Sequence, residues 1–168
     1  MLKLSLIFAI EILILTIMKK RVFTIIAVVL VSAFAFNTIA REVVVDVKTL
    51  PETAQNFIKQ NFADKKLVST VKDSELLETE YKVYFSDGTK INFTSKGEWK
   101  EIEGNRNCIA NSAIPVNIAN YVTENYNGIC IGKIEVDKEL FNFQYNVELL
   151  NGIELRFDKN GAFMGFDD

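Results

Sequence analysis

No histidine occurs anywhere in the 168-residue chain, and its only thiols are Cys108 and Cys130. Ser-His-Asp and Cys-His nucleophile systems are therefore excluded, as is any zinc site that uses imidazole. Two thiols are also too few for a thiolate metal site by themselves. Carboxylates are the remaining groups for acid–base chemistry. Glu98, Glu101 and Glu103 crowd one short segment, and Asp167-Asp168 follows another; both read as the solvated ends of strands. Asp158-Lys159-Asn160-Gly161 opens like a calcium loop but lacks the further ligands and the distal Glu that such a loop needs, and a hairpin turn accounts for it fully. No Gly-rich phosphate loop is present. The expectation is a protein with no enzymatic activity, cofactor or metal. Cys108 and Cys130 leave two readings open: a disulfide, whose loop would contribute about 3 kcal/mol, or two unrelated small apolar residues. Neither is a nucleophile without a base.

Binding chemistry is better represented. In a strand over residues 80–86, Tyr81, Val83 and Phe85 take one face, while Lys82, Tyr84 and Ser86 take the other. A neighbouring strand brings Lys90 and Asn92 beside them, and the next carries Trp99, Glu101 and Ile102. Trp99 and Ile102 are three residues apart in a period-two element, so either a bulge turns both inward or one of them faces out. Aromatic and polar residues together on an open sheet have the composition of a binding surface. The candidate partner-binding residues are Tyr84 and Trp99 as anchors, with Lys82, Lys90 and Glu101 around them. The competing reading is that Tyr84 covers its cross-strand neighbours and that Trp99 is core.

These residues sit in a unit that occurs twice. Shifted by 64 positions, Leu50-Pro51 falls on Ile114-Pro115, Tyr81 on Tyr145, Asp87-Gly88 on Asn151-Gly152, Gly97 on Gly161 and Trp99 on Phe163. A constant offset across turns and core positions marks a duplicated supersecondary unit. Each copy opens with a helix. Leu50, Ala54, Phe57, Ile58 and Phe62 form one apolar stripe, and Ile114, Ile118, Tyr121, Val122 and Tyr126 repeat it. Pro51 and Pro115 belong to the first turn, where a missing N–H costs nothing. Strands follow at residues 67–72 and 131–137, with imperfect alternation, and then at 80–86 and in a longer run ending at Leu149. Asp87-Gly88 and Asn151-Gly152 predict type I′ hairpins. The fold class is α+β: a tandem repeat (50–103 and 114–167) of a helix and a four-stranded antiparallel meander. The two copies join into one sheet with both helices on one face.

The first forty residues read as a signal region outside this domain. Apolar runs at 4–17 and 22–36 are separated by Met18-Lys19-Lys20-Arg21. The second run has the basic start and the small residues, Thr38-Ile39-Ala40, of an export signal. The expected start is Met18, with cleavage near Ala40. A two-span membrane hairpin is the alternative, but each run is shorter than the roughly 20 residues a span needs. Residues 41–168 carry 15 Lys and Arg against 21 Asp and Glu. That acidic balance argues against nucleic acid, which calls for a basic stripe.

Pro51-x-x-x-x-x-Phe57-Ile58-x-x-Asn61-Phe62, Tyr81-x-Val83-x-Phe85-x-Asp87-Gly88 and Phe93-x-x-x-Gly97-Glu98-Trp99 resemble the PepSY-like periplasmic proteins of Bacteroides-type bacteria. Those proteins resemble the β-lactamase inhibitor protein in fold. Tyr145-x-Val147-Glu148-Leu149-x-Asn151-Gly152 and Phe157-Asp158-x-x-Gly161 repeat the pattern, with Ala162-Phe163 in place of Glu-Trp; Cys108 and Cys130 stand outside it. The resemblance spans residues 50–168 and implies tandem α/β repeats in one curved antiparallel sheet. It implies no established activity, and a shared fold does not carry inhibition with it. Two functions are expected to compete. One is an exported, periplasmic module that binds an envelope protein with the open sheet face. The other is a binder of a small ligand or envelope polymer at the seam between repeats.

Overall fold

A computed structural model describes residues 41–75, 78–139 and 142–167. The expected start at Met18, the two apolar runs and cleavage at Ala40 lie outside the described residues. Nine strands form one open antiparallel sheet whose spatial order is the order of the chain. They are β1 (Arg41–Val45), β2 (Leu67–Glu75), β3 (Glu78–Phe85), β4 (Lys90–Thr94), β5 (Trp99–Glu103), β6 (Ile131–Glu139), β7 (Asn142–Leu149), β8 (Glu154–Asp158) and β9 (Phe163–Phe166). Helix α1 (Glu52–Asn61) precedes β2, and α2 (Val116–Asn125) precedes β6. Pro51 and Pro115 are the N-cap residues, one position earlier than expected. Proline costs no hydrogen bond there either.

The paired elements α1 and α2, β2 and β6, β3 and β7, β4 and β8, and β5 and β9 each begin 64 residues apart. Strand β1 has no counterpart and was not expected. Its Arg-Glu-Val-Val-Val run shows no alternation, and it is an edge strand with a single neighbour. It meets β2 at Thr70, as β5 meets β6 at Ile134.

The hairpin turns differ from the expected type I′. A type I′ turn needs φ > 0 at both central residues, and Asp87 and Asn151 do not have it; only the glycines do, Gly88 at 88° and Gly152 at 82°. The amide of Gly88 donates to the Phe85 carbonyl, and the amide of Phe85 to that of Thr89. This is a type I turn closed by a left-handed glycine. Residues 149–153, 94–98 and 158–162 repeat the pattern. The type I′ geometry occurs instead at Asn105-Arg106, both at positive φ, where the Asn107 amide donates to the Gly104 carbonyl. That connector is tied down by a disulfide between Cys108 and Cys130, with Cα atoms 5.6 Å apart.

Four bulges settle the imperfect alternations. Leu67 pairs with Phe85 and Ser69 with Tyr84, leaving Val68 as the extra residue; Gly132 is the extra residue of β6. Asn92 pairs with Glu101 and Phe93 with Trp99, so Lys100 is extra in β5, as Met164 is in β9. Each bulge swaps the inward and outward sets beyond it, because side chains alternate with period two.

Successive register partners then trace one row across the sheet: Val45, Thr70, Val83, Ile91, Ile102, Ile134, Val147, Leu155 and Phe166. From Thr70 to Leu155 every member is buried, at 0–1% exposure. Phe57 stands edge-on to Phe93, Phe62 stacks on Phe85, and Tyr121 stands edge-on to Phe157. The tip glycines let the hairpins reach the helix starts. A Cβ on Gly97 would lie 2.8 Å from Pro51 Cβ, and one on Gly161 would lie 2.9 Å from Asn117 Cβ. Among the described residues no helix is long and apolar enough to cross a membrane.

Candidate functional site: the charged face of the sheet

The opposite face is polar because each strand that contributes to the apolar row offers its alternate residues to the other side. Ser69, Tyr84, Lys90, Glu103, Lys133 and Glu148 are successive partners on it. Beside them run Val71, Lys82, Asn92, Glu101, Glu135, Asn146 and Arg156. Tyr84, Lys82 and Lys90 are thus brought together as expected from alternation, and Glu101 joins them through the bulge in β5.

Trp99 is not with them. The bulge at Lys100 turns it to the apolar face opposite Phe93, where it is half-buried against the core, with its ring 6.1 Å from that of Tyr145. The reading of Trp99 as an open-face anchor is corrected accordingly. Of the two readings that the spacing of Trp99 and Ile102 leaves open, the bulge is the one observed, and the extra residue lets both point inward.

The charges are organised rather than scattered. Glu101, with 15% of its side chain exposed, lies 2.8 Å from Lys90 Nζ and 3.2 Å from Lys133 Nζ, and accepts from Asn92 Nδ2 at 3.1 Å. Its register partner Glu135 also carries a negative charge. Like charges directly opposite repel, and Lys133, 3.4 Å from Glu135, sits between the two carboxylates. Burial pushes the Glu101 carboxyl up, but the Lys90 and Lys133 ammoniums more than offset this and hold it below the usual range. The same contacts raise Lys90 and Lys133 against their own burial. Further along, Lys82 donates to Asp73 and Glu42, each at 2.7 Å, and these carboxylates hold its ammonium well above the usual value. Lys100, projected by its bulge, pairs with Glu80, which raises it.

Alternation located the near half of this network. The far half, Glu42, Asp73, Glu103, Lys133 and Glu135, was missed because β1 was unseen and the bulges at Val68 and Gly132 blur the pattern of β2 and β6. Two buried acceptors on this face, Asp73 Oδ1 and Asn92 Oδ1, have no hydrogen-bond partner among the described residues. Where β3 to β6 run side by side, a half-open cleft of about 440 Å³ is lined by Glu78, Glu80, Thr94, Lys100, Asp137 and Lys138. No group of three or more Cys, Asp or Glu among the described residues is placed to hold a metal ion.

The sequence over residues 37–76 and 79–165 matches the family described as "Putative beta-lactamase-inhibitor-like, PepSY-like". The chain belongs to this PepSY-like family. Three solved structures are similar to it. A protein of Bacteroides thetaiotaomicron, described as a "putative calcium-regulated periplasmic protein", is 35% identical with a TM-score of 0.69, over 76% of this chain and 97% of that one. A protein of Bacteroides vulgatus, described as a "putative periplasmic protein", is 33% identical with a TM-score of 0.68, over 76% and 97%. A second B. vulgatus protein, described as a "putative periplasmic protein of unknown function", is 35% identical with a TM-score of 0.67, over 76% and 100%. No curated protein matches the chain.

Proposed function

We propose that this PepSY-like chain is an exported, non-enzymatic binding module that engages a protein partner with the charged face of its sheet. In this reading it is a duplicated helix-and-meander unit with both helices on the apolar face, which leaves the other face free. The observation that carries the proposal is the ordered charge network around Tyr84. Lys90, Glu101 and Lys133 are fixed against one another before any partner arrives, and such preorganisation lowers the ordering cost of association. Tyr84 adds an aromatic body with a polar tip, a residue type that interfaces favour. The periplasmic descriptions of the three relatives support export, and the inhibitor-like description of the family is in keeping with an envelope protein as partner.

The test is comparative capture from a Bacteroides periplasmic extract. The wild type, a face variant carrying Tyr84→Ala and Lys90→Glu, and a control with Glu52→Lys on the exposed start of α1 are used as baits. A protein retained by wild type and control but lost by the face variant supports the reading. Identical captured sets with a folded face variant refute it.

The cleft of about 440 Å³ favours a second reading, a small ligand or envelope polymer held between the two copies. Lys100→Ala would then abolish thermal stabilisation by the ligand while leaving protein capture intact.

A further inference from the structure

The buried apolar row runs out at β9. Phe166 is its last member, and it is 58% exposed where its neighbour Leu155 is 0%. Ile102, 64 residues earlier in the same structural position, is also 0% exposed, because β6 pairs with the outer side of β5 and sets Ile134 beside it. The two strands thus present equivalent edges; one is covered by a strand of this chain and the other is not. Phe163 (37%) and Met164 (53%) add to the exposed apolar surface, and residues 163–166 carry no charge. Natural edge strands are usually blunted by charge or proline. Among the described residues this edge is guarded by the bulge at Met164, by Asp167 just past the strand, 3.6 Å from Arg156 Nε, and by Arg156 Nη2, which donates to the Phe166 carbonyl at 3.1 Å. One donor leaves that oxygen a second lone pair. Phe163 is already held in place, stacked on Tyr121 at 4.7 Å.

We propose that β9 is a pairing edge and that its occupant is β9 of a second copy of this chain, antiparallel about a two-fold axis between Met164 and Gly165. That register sets Phe163 of each copy opposite Phe166 of the other on the apolar face, so the buried row continues across the junction. Two observations select this occupant. The equivalent edge on β5 is paired antiparallel by β6 of the same chain, so an edge of this shape accepts an antiparallel strand. An uncharged strand can also oppose itself with no like-charge contact, and a two-fold pairing closes on itself. Strand β1, by contrast, carries the charge of Glu42, whose side chain is 58% exposed. Four residues a side make a contact below standard interface size, so the dimer forms and dissociates with concentration.

Sedimentation equilibrium of the purified protein from micromolar to millimolar concentration tests this. The expected result is a monomer–dimer equilibrium that Phe166→Lys weakens at least about tenfold, while Val44→Lys on β1 leaves it unchanged. Both side chains are exposed (58% and 73%), so both variants fold. A monomer throughout, or a dimer insensitive to Phe166→Lys, overturns the proposal. A dimer lost in Val44→Lys and kept in Phe166→Lys assigns association to β1 and overturns it equally.

Discussion

Replacing Glu101 by Gln keeps the shape of the central side chain and removes its charge. The carboxylate has 15% of its side chain exposed and holds two ammoniums at 2.8 and 3.2 Å, with a third contact from Asn92. In the variant, Lys90 and Lys133 retain only the more exposed Glu103 at 3.7 Å and Glu135 at 3.4 Å. A charge-assisted hydrogen bond contributes about 1.5–3 kcal/mol when shielded, and an exposed ion pair less than about 1 kcal/mol. A mostly buried group with three partners lies between these limits, and the expected loss is about 2 kcal/mol at neutral pH. The sign of the pH dependence follows from the depressed carboxyl. A group whose folded pKa lies below its unfolded value, about 4.3 for Glu, stabilises above that value. The contribution is lost as pH falls through the folded pKa. The gap between wild type and Glu101→Gln is therefore full near pH 7 and closes as pH falls through the depressed folded pKa. Urea unfolding can be followed by the emission of the single tryptophan, Trp99, and a loss of this size moves the midpoint by about 1 M. Equal stability at pH 7, or a gap that persists unchanged in acid, would show that the network is not an energetic unit.

Trp99→Ala should destabilise the fold by about 2 kcal/mol or more through lost packing on Tyr145 and the core, without reducing partner capture by the protein that remains folded; a selective loss of capture would return the indole to the binding face. Gly152→Ala meets nothing within 4 Å and carries only the strain of φ at 82°, whereas Gly97→Ala at the same φ also drives a Cβ to 2.8 Å from Pro51. Thermal melts should place Gly97→Ala at least about 1 kcal/mol below Gly152→Ala, and equal melts would mean that the hairpin tip does not rest on α1. Replacing Cys108 and Cys130 together by Ser should cost about 3 kcal/mol; a melt insensitive both to that change and to reductant would rule out a stabilising bridge.

Much of the architecture was legible because its signals are local. The stripes from Leu50 to Phe62 and from Ile114 to Tyr126 gave the helices, and the alternation in β3 and β4 assigned the inward and outward sets that place Tyr84, Lys82 and Lys90. Illegible were the features decided by cross-strand partners. The spacing of Trp99 and Ile102 admits two registers, and only pairing with Phe93 and Ile91 shows that Lys100 is the extra residue. The Asp87-Gly88 and Asn151-Gly152 turns contain the residues of a two-residue loop, but the hydrogen bonds close one residue further on, at Thr89 and Ile153. Strand β1 is three valines without alternation, recognisable only through its partner β2. The disulfide could not be read because neither cysteine recurs in the first copy and spacing alone does not bring two thiols together.

The most direct measurement is a titration of the captured partner against wild type and Tyr84→Ala, with folding of the variant checked by its urea midpoint. An aromatic anchor at an interface contributes about 2 kcal/mol or more, so Tyr84→Ala is predicted to weaken binding about thirtyfold, and added salt should slow association with the wild type through the Lys90–Glu101–Lys133 network. A folded Tyr84→Ala variant that binds with unchanged affinity and unchanged salt dependence would contradict the assignment of the charged face as the binding surface.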